Sequence, residues 1–325
     1  MDEMEPGELL YELADYQSAA RTYRKDLLRL PILCLDEELA HMTLRPGIRY
    51  SEVVGTTDLD VELQPYVRNA RQKVDLELDL RELKTYFGTV NADFDPNKNI
   101  STLMGHRASQ ASGDGLETTP QAQEVLALVP KKIGRKLKSA LFKAKRNSAG
   151  KTTMDLFDGF DTIAEREIAD GNISAENGNY LKLSAKPDKF NTLELCQEIL
   201  DAMSPELRGE DCVMYVPQTF LDNYNRSYKL DGGALVYKDQ YDQTFVEGSQ
   251  GRLRIVPLVG KAGSNLIQIC PESNMLVGCD QLSDKETVRV ANYEPDTFTL
   301  MMRMFWGCEY ESIDARRLLV VEIPE

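Results

Sequence analysis

The sequence predicts an α+β protein of about two domains. Three observations carry this prediction. Apolar residues recur at helical spacing near the N-terminus and again in mid-chain, two other stretches alternate, and helices and strands interleave after residue 155. A hydrophobic share of 42% beside 28% charged residues is ordinary for a folded chain and excludes global disorder.

Taken in order, Leu9, Leu13, Tyr16, Ala20, Tyr23, Leu27 and Leu30 fall at intervals of three and four, which predicts a helix that Pro31 should stop. Residues 43–56 combine turn chemistry at Pro46-Gly47 with a short extended piece. Asp58–Tyr66 and Lys73–Val90 then alternate on either side of a polar turn at Val67–Gln72. In the second run Val74, Leu76, Leu78 and Leu80 share one face, against Asp75, Glu77 and Asp79. That pattern is a long two-stranded ribbon with a half-apolar face. An isolated hairpin is marginal in water, so this one should lie against another domain or another chain.

Residues 91–119 read as loops, and a helix is expected after Thr119, with Pro120 at its first position. It runs through Val125, Leu128, Val129, Ile133, Leu137, Ala140 and Leu141, with a kink expected at Pro130. Its length would be about 37 Å. From Asp155 the texture is α/β. Helices are expected at Leu156–Asp170, after the capping-box-like Asn191-Thr-Leu-Glu194, and at Gln218–Tyr228. Strands are expected at Cys212–Pro217, Leu253–Val259, Leu266–Ile269 and Met275–Cys279. Near the end, Phe298, Leu300, Met302, Met304 and Trp306 line one face of a strand.

Several function classes fall away. Two histidines, His41 and His106, exclude a three-His zinc site. The six cysteines show no Cys-x-x-Cys spacing and read as reduced, buried thiols, as expected in reducing cytosol. The acidic start is unlike a signal peptide, and no run of about 18 apolar residues could span a membrane. Gly150-Lys151-Thr152-Thr153 has the tail of a phosphate loop, but Lys145 stands where the first glycine belongs, and the segment follows a helix. Asp93 to Asn99 resembles the opening of a calcium loop, yet Lys98 and Met104 occupy its glycine and glutamate positions. Asp158, Asp161 and Glu165 cluster at helical spacing and supply an enzymatic alternative, a Mg²⁺ site. No other catalytic constellation emerges, so neither enzymatic turnover nor a cofactor is expected.

Charge gives one positive signal. With 38 Lys and Arg against 53 Asp and Glu, the net charge is −15, and the field of the whole chain repels nucleic acid. Yet Lys131, Lys132, Arg135, Lys136, Lys138, Lys143, Lys145 and Arg146 form a run with no acid among them. Such a face suits either phosphates or the acidic surface of a neighbouring copy, and the acidity of the chain leans toward the copy. Arg68, Arg71 and Lys73 at the ribbon turn are a second candidate contact between subunits.

The order of these elements resembles the major capsid proteins of tailed bacteriophages, the Hong Kong 97 capsid fold. The strings that carry the likeness are Leu44-Arg-Pro-Gly-Ile-Arg-Tyr-Ser-Glu-Val, Leu80-Arg-Glu-Leu-Lys-Thr-Tyr-Phe-Gly, the kinked helix near 118–146, Cys212-Val-Met-Tyr-Val-Pro-Gln-Thr-Phe, and the segment from Arg252 to Asp280. The resemblance implies an N-terminal arm (1–56), an extended β-ribbon loop (57–92), a peripheral domain with a long spine helix (93–153), an axial domain (154–274) and closing peripheral strands (275–325). It implies hexamers and pentamers closing into an icosahedral shell around double-stranded DNA, touched weakly and without sequence preference. Location in a virion capsid, assembly in the bacterial cytoplasm, a portal and no membrane partner follow from the same likeness. Because only about forty residues precede the arm-like motif, the likeness implies either a separate scaffolding protein or a chain already trimmed of such a segment. The same fold would also serve an encapsulin-like cellular nanocompartment.

Overall fold

A computed structural model describes residues 13–59, 65, 76–94, 118–231, 244–280, 288–294 and 297–324. The chain divides into two compact units. The first comprises residues 1–36, 87–137 and 280–305, and the second residues 37–86, 138–279 and 306–325.

In the first unit the N-terminal helix is two helices, α1 (Leu13–Thr22) and α2 (Arg24–Leu33), which meet at Tyr23. Pro31 lies inside α2 rather than ending it. Its missing N–H removes one hydrogen bond, the one four residues back, and the helix nonetheless runs on to Leu33. Strand β4 (Tyr86–Phe94) and the antiparallel pair β10 (Val288–Glu294) and β11 (Thr297–Tyr310) supply the sheet. Residues 118–137 of the long helix α4 (Thr118–Lys143) complete the unit, and the helix continues unbroken through Pro130. Its core joins Ala19, Ala20, Leu27 and Leu28 to Leu126, Ala127, Val288, Val290, Leu300 and Met302. The alternation read in the last strand therefore holds, since Leu300 and Met302 are both buried. Gly134 of α4 packs against Pro31 of α2 and against Cys34 just beyond it. A Cβ there would lie 2.5 Å from that of Cys34.

The second unit is built on a five-stranded mixed sheet. Its strands run in the order β5 (Tyr180–Lys182), β12 (Leu319–Glu322), β8 (Leu266–Cys270), β6 (Cys212–Val216) and β7 (Leu253–Pro257). Strands β6 and β8 are buried at every position, as a sheet covered on both faces requires. Helices α6 (Thr192–Ala202) and α8 (Gln218–Asp231) carry Cys196, Ile199, Leu200 and Tyr224 into a core with Met214, Val216, Ile267 and Ile269. Two short helices, α3 (Asp36–Leu39) and α7 (Pro205–Gly209), lie ahead of β1 and β6 in the chain. Asn191 does precede α6, but its side chain makes no capping bond and instead accepts from Asp188 N at 2.7 Å. Strand β1 (Thr43–Pro46) pairs in parallel with β9 (Met275–Cys279), and β9 pairs with residues 306–310 of β11. Antiparallel strands β2 (Ser51–Leu59) and β3 (Leu76–Lys84) form the ribbon.

The ribbon differs from the sequence reading at its base. Pairing begins at Ser51↔Lys84, and the alternating run expected to reach Val90 breaks at Thr85, beyond which β4 enters the first unit. The backbone N–H of Thr85 donates to Tyr50 O at 2.8 Å and closes the root.

Candidate functional site

The ribbon is asymmetric. Its register pairs Val54 with Arg81 and Glu52 with Leu83 on one side, and Val53 with Glu82 and Gly55 with Leu80 on the other. The first side is closed within the chain, where Val54 and Leu83 pack with Ile48 and Leu276. The second is open, with Val53 65% and Leu80 60% exposed. By register, Thr57↔Leu78 and Leu59↔Leu76 continue this second set of pairs. The apolar face read from Leu76, Leu78 and Leu80 is thus the one that the ribbon's own unit leaves uncovered at Leu80.

Two devices fix the root. Gly278 and Gly307 are register partners on β9 and β11, and Lys84–Thr85 crosses over both. A Cβ at 307 would meet Lys84 O at 1.9 Å, and one at 278 would meet Thr85 Cγ2 at 2.8 Å. Only glycine permits this approach. Beside the crossing, the Arg81 guanidinium donates to Glu167 Oε1 at 2.8 Å and to Glu309 Oε1 at 2.9 Å, all three side chains being nearly buried. Burial pushes the Glu309 carboxyl up against the pull of Arg81. Burial also opposes ionisation of Glu167, yet hydrogen bonds from Arg81 and Asn172 bring it below the usual carboxylate range. Arg81 therefore ties β3 to helix α5 (Phe160–Ala169) and to β11. A cleft of about 220 Å³ opens beside this root, lined by both charge signs, among them Lys84, Arg166, Asp158 and Glu309.

The basic run resolves into two groups. Lys138 binds Glu37 at 3.1 Å and Glu38 at 3.2 Å, and Lys143 donates to Ala262 O. Arg146 donates to Leu156 O at 3.0 Å and lies 4.4 Å over the ring of Tyr86. These three hold the end of α4 and the following turn. Lys131, Lys132, Arg135, Lys136 and Lys145 are exposed and make no ion pair among the described residues.

Asp158, Asp161 and Glu165 do not converge, which removes the basis for a Mg²⁺ site at them. Asp161 is buried and accepts from Lys261 Nζ at 2.7 Å, Gln268 Nε2 at 2.7 Å and Ser264 Oγ at 2.6 Å. Asp158 accepts from Arg146 N and Arg166, while Glu165 is exposed. Among the described residues, no group of three possible ligands assembles. Lys261 is wholly buried, 5.0 Å over the ring of Phe142, and also donates to Gln268 Oε1. The sequence reading missed this Asp161–Lys261–Gln268 cluster, because Asp161 lies 100 residues from Lys261 and 107 from Gln268, and each looks like any other polar residue. In the phosphate-loop decoy, Asp155 Oδ2 accepts from Thr152 N at 3.0 Å in a short helical turn, and Gly150 and Lys151 are exposed. His41 contacts Glu272 at 2.8 Å. Arg68, Arg71, Lys73, His106 and the calcium-loop-like positions from 95 to 104 lie outside the described residues.

No protein-family model and no curated protein matches the chain. Solved structures do. A chain of the satellite phage P4 procapsid aligns at a TM-score of 0.63 with 13% identity, covering 93% of this chain and 91% of that one. The capsid of a native GTA particle aligns at 0.50 with 11% identity, over 100% and 95% of the two chains. A Mycobacterium phage Cain chain aligns at 0.50 with 11% identity, over 88% of each. The chain therefore has the α+β fold of phage major capsid proteins, and the resemblance read from element order is a resemblance of fold.

Proposed function

We propose that this chain is a major capsid protein, a subunit that assembles with copies of itself into hexamers and pentamers of an icosahedral shell enclosing double-stranded DNA. The observation that carries the reading is the match, over nearly its full length, to a chain of a procapsid. The open side of the ribbon supports it. Val53 and Leu80 are exposed on a two-stranded element that is too small to be stable through its own pairing. A neighbouring copy that covers this side removes apolar surface from water at both subunits and gives the ribbon its second layer.

The work of such a protein is mechanical. The root is rigid, through the Gly278–Gly307 crossing and the Arg81 bridge, so that a ribbon about nine residues long per strand is held at a fixed angle when a copy meets it. Within the second unit the sheet core is closed and needs no partner. A scaffolding protein, a portal and assembly in the host cytoplasm belong to the same proposal. Electron microscopy and sizing of the purified chain test it. Closed shells or rings of five and six subunits are expected, and a particle of 36.7 kDa that persists at all protein and salt concentrations would overturn it. Shells recovered with a protein cargo and no DNA would replace the virion by a cellular compartment.

A further inference from the structure

The geometry of α4 points to a contact for the phosphate backbone of double-stranded DNA at Lys131, Lys132, Arg135 and Lys136, rather than along the whole eight-residue run. It rests on the shell reading for where DNA is met, and on the helix itself for the binding. Positions i, i+1, i+4 and i+5 share one face of two helical turns. That face is fixed in orientation, because the opposite side is packed: Ile133 joins the core of the first unit, Leu137 is buried, and Gly134 abuts Cys34 and Pro31. All four cations are exposed, and none has an ion pair among the described residues. No acid occurs in the sequence between Glu124 and Asp155.

The other half of the run shows what this chain does with a structural cation. Lys138, Lys143 and Arg146 each reach a carboxylate or carbonyl of their own chain. The four without such partners among the described residues are three lysines and an arginine, and beside them a single exposed leucine, Leu128, shares their face three and four residues before Lys131 and Lys132. Protein–protein contacts deplete lysine and centre on apolar or aromatic anchors, whereas phosphate contacts need clustered cations and no anchor. This composition selects DNA over the acidic surface of another copy, the partner toward which the sequence alone leaned. In a chain of net charge −15, four local cations give a weak, salt-labile contact that does not hold the DNA fast.

The test is binding of a mixed-sequence DNA duplex to the full chain, in whatever assembly it forms, at salt from about 50 to 200 mM. Four phosphate contacts predict a log–log salt slope of about −3 to −4. The combined variant Lys131→Ala, Lys132→Ala, Arg135→Ala, Lys136→Ala should abolish most of that slope. Exchanging each lysine for arginine and Arg135 for lysine should retain it, and Lys186→Ala with Lys189→Ala should leave it unchanged. Unaltered DNA binding by the alanine variant overturns the inference while leaving the shell reading intact. Normal DNA binding with failed assembly overturns it in favour of a contact between copies. A wild-type chain that never assembles, yet binds DNA through these four residues, upholds the inference and removes the shell.

Discussion

The mixed sheet and the ribbon both carry Val and Leu at their apolar positions, and they use those residues in opposite ways. Strands β6 and β8 bury every side chain between helices of their own unit. Strands β2 and β3 bury one side at the root and leave Val53 and Leu80 on the other side open. The difference separates what this chain completes by itself from what it leaves to a partner. A substitution in the sheet is therefore read in the stability of the subunit, and one on the open side of the ribbon in assembly.

The largest effect is expected inside the sheet unit. Lys261→Ala strips the buried Asp161 carboxylate of its counter-charge, and breaking a buried pair from one side costs about 3–5 kcal/mol. Thermal unfolding should show a loss of that size, and a Tm within a degree of wild type would break the comparison on its closed side. Next comes the root of the ribbon, where it crosses β9 and β11. Gly307→Ala places a methyl against Lys84 O, and the forced backbone shift should cost about 1–3 kcal/mol and loosen the ribbon root. Hydrogen exchange would report it as faster exchange at residues 76–85, with β6 and β8 unchanged. The smallest stability effect falls on the open side. Leu80→Ser should change the unfolding free energy by less than about 0.5 kcal/mol, because the residue is mostly exposed, while reducing the yield of assembled particles several-fold. Equal losses for Leu80→Ser and Lys261→Ala in unfolding experiments would erase the distinction.

Much of this was legible in the sequence where the information is local. Three-and-four spacing located the long helix, and alternation found the last strands and the ribbon. What failed did so for reasons of distance along the chain. The apolar positions change sides between Leu80 and Leu83, just before the break at Thr85, and the sequence reading passed over that change of phase. The break arises where Lys84–Thr85 crosses two glycines of other strands, whose only local trace is a glycine inside each apolar strand. Arg81 could not be matched to Glu167 and Glu309 among 53 acids, because the pairing is made by the crossing and not by spacing. Asp158, Asp161 and Glu165 share a helical face on paper, yet burial turns Asp161 toward Lys261 and leaves Glu165 in solvent. The eight-residue basic run was visible as charge alone, and only tertiary contacts divide it into tethers and cations with no ion pair among the described residues.

The central claim is that the open side of the ribbon is covered by a neighbouring copy. Leu80→Cys provides the direct measurement, because the native thiols form a quiet background. Five of the six cysteines are buried, and burial pushes the thiols of Cys196, Cys212, Cys270 and Cys308 up, that of Cys212 to about 12. Maleimide labelling of the introduced thiol should be fast in dissociated subunits and strongly suppressed in assembled particles. Labelling at the same rate in both states would contradict the account.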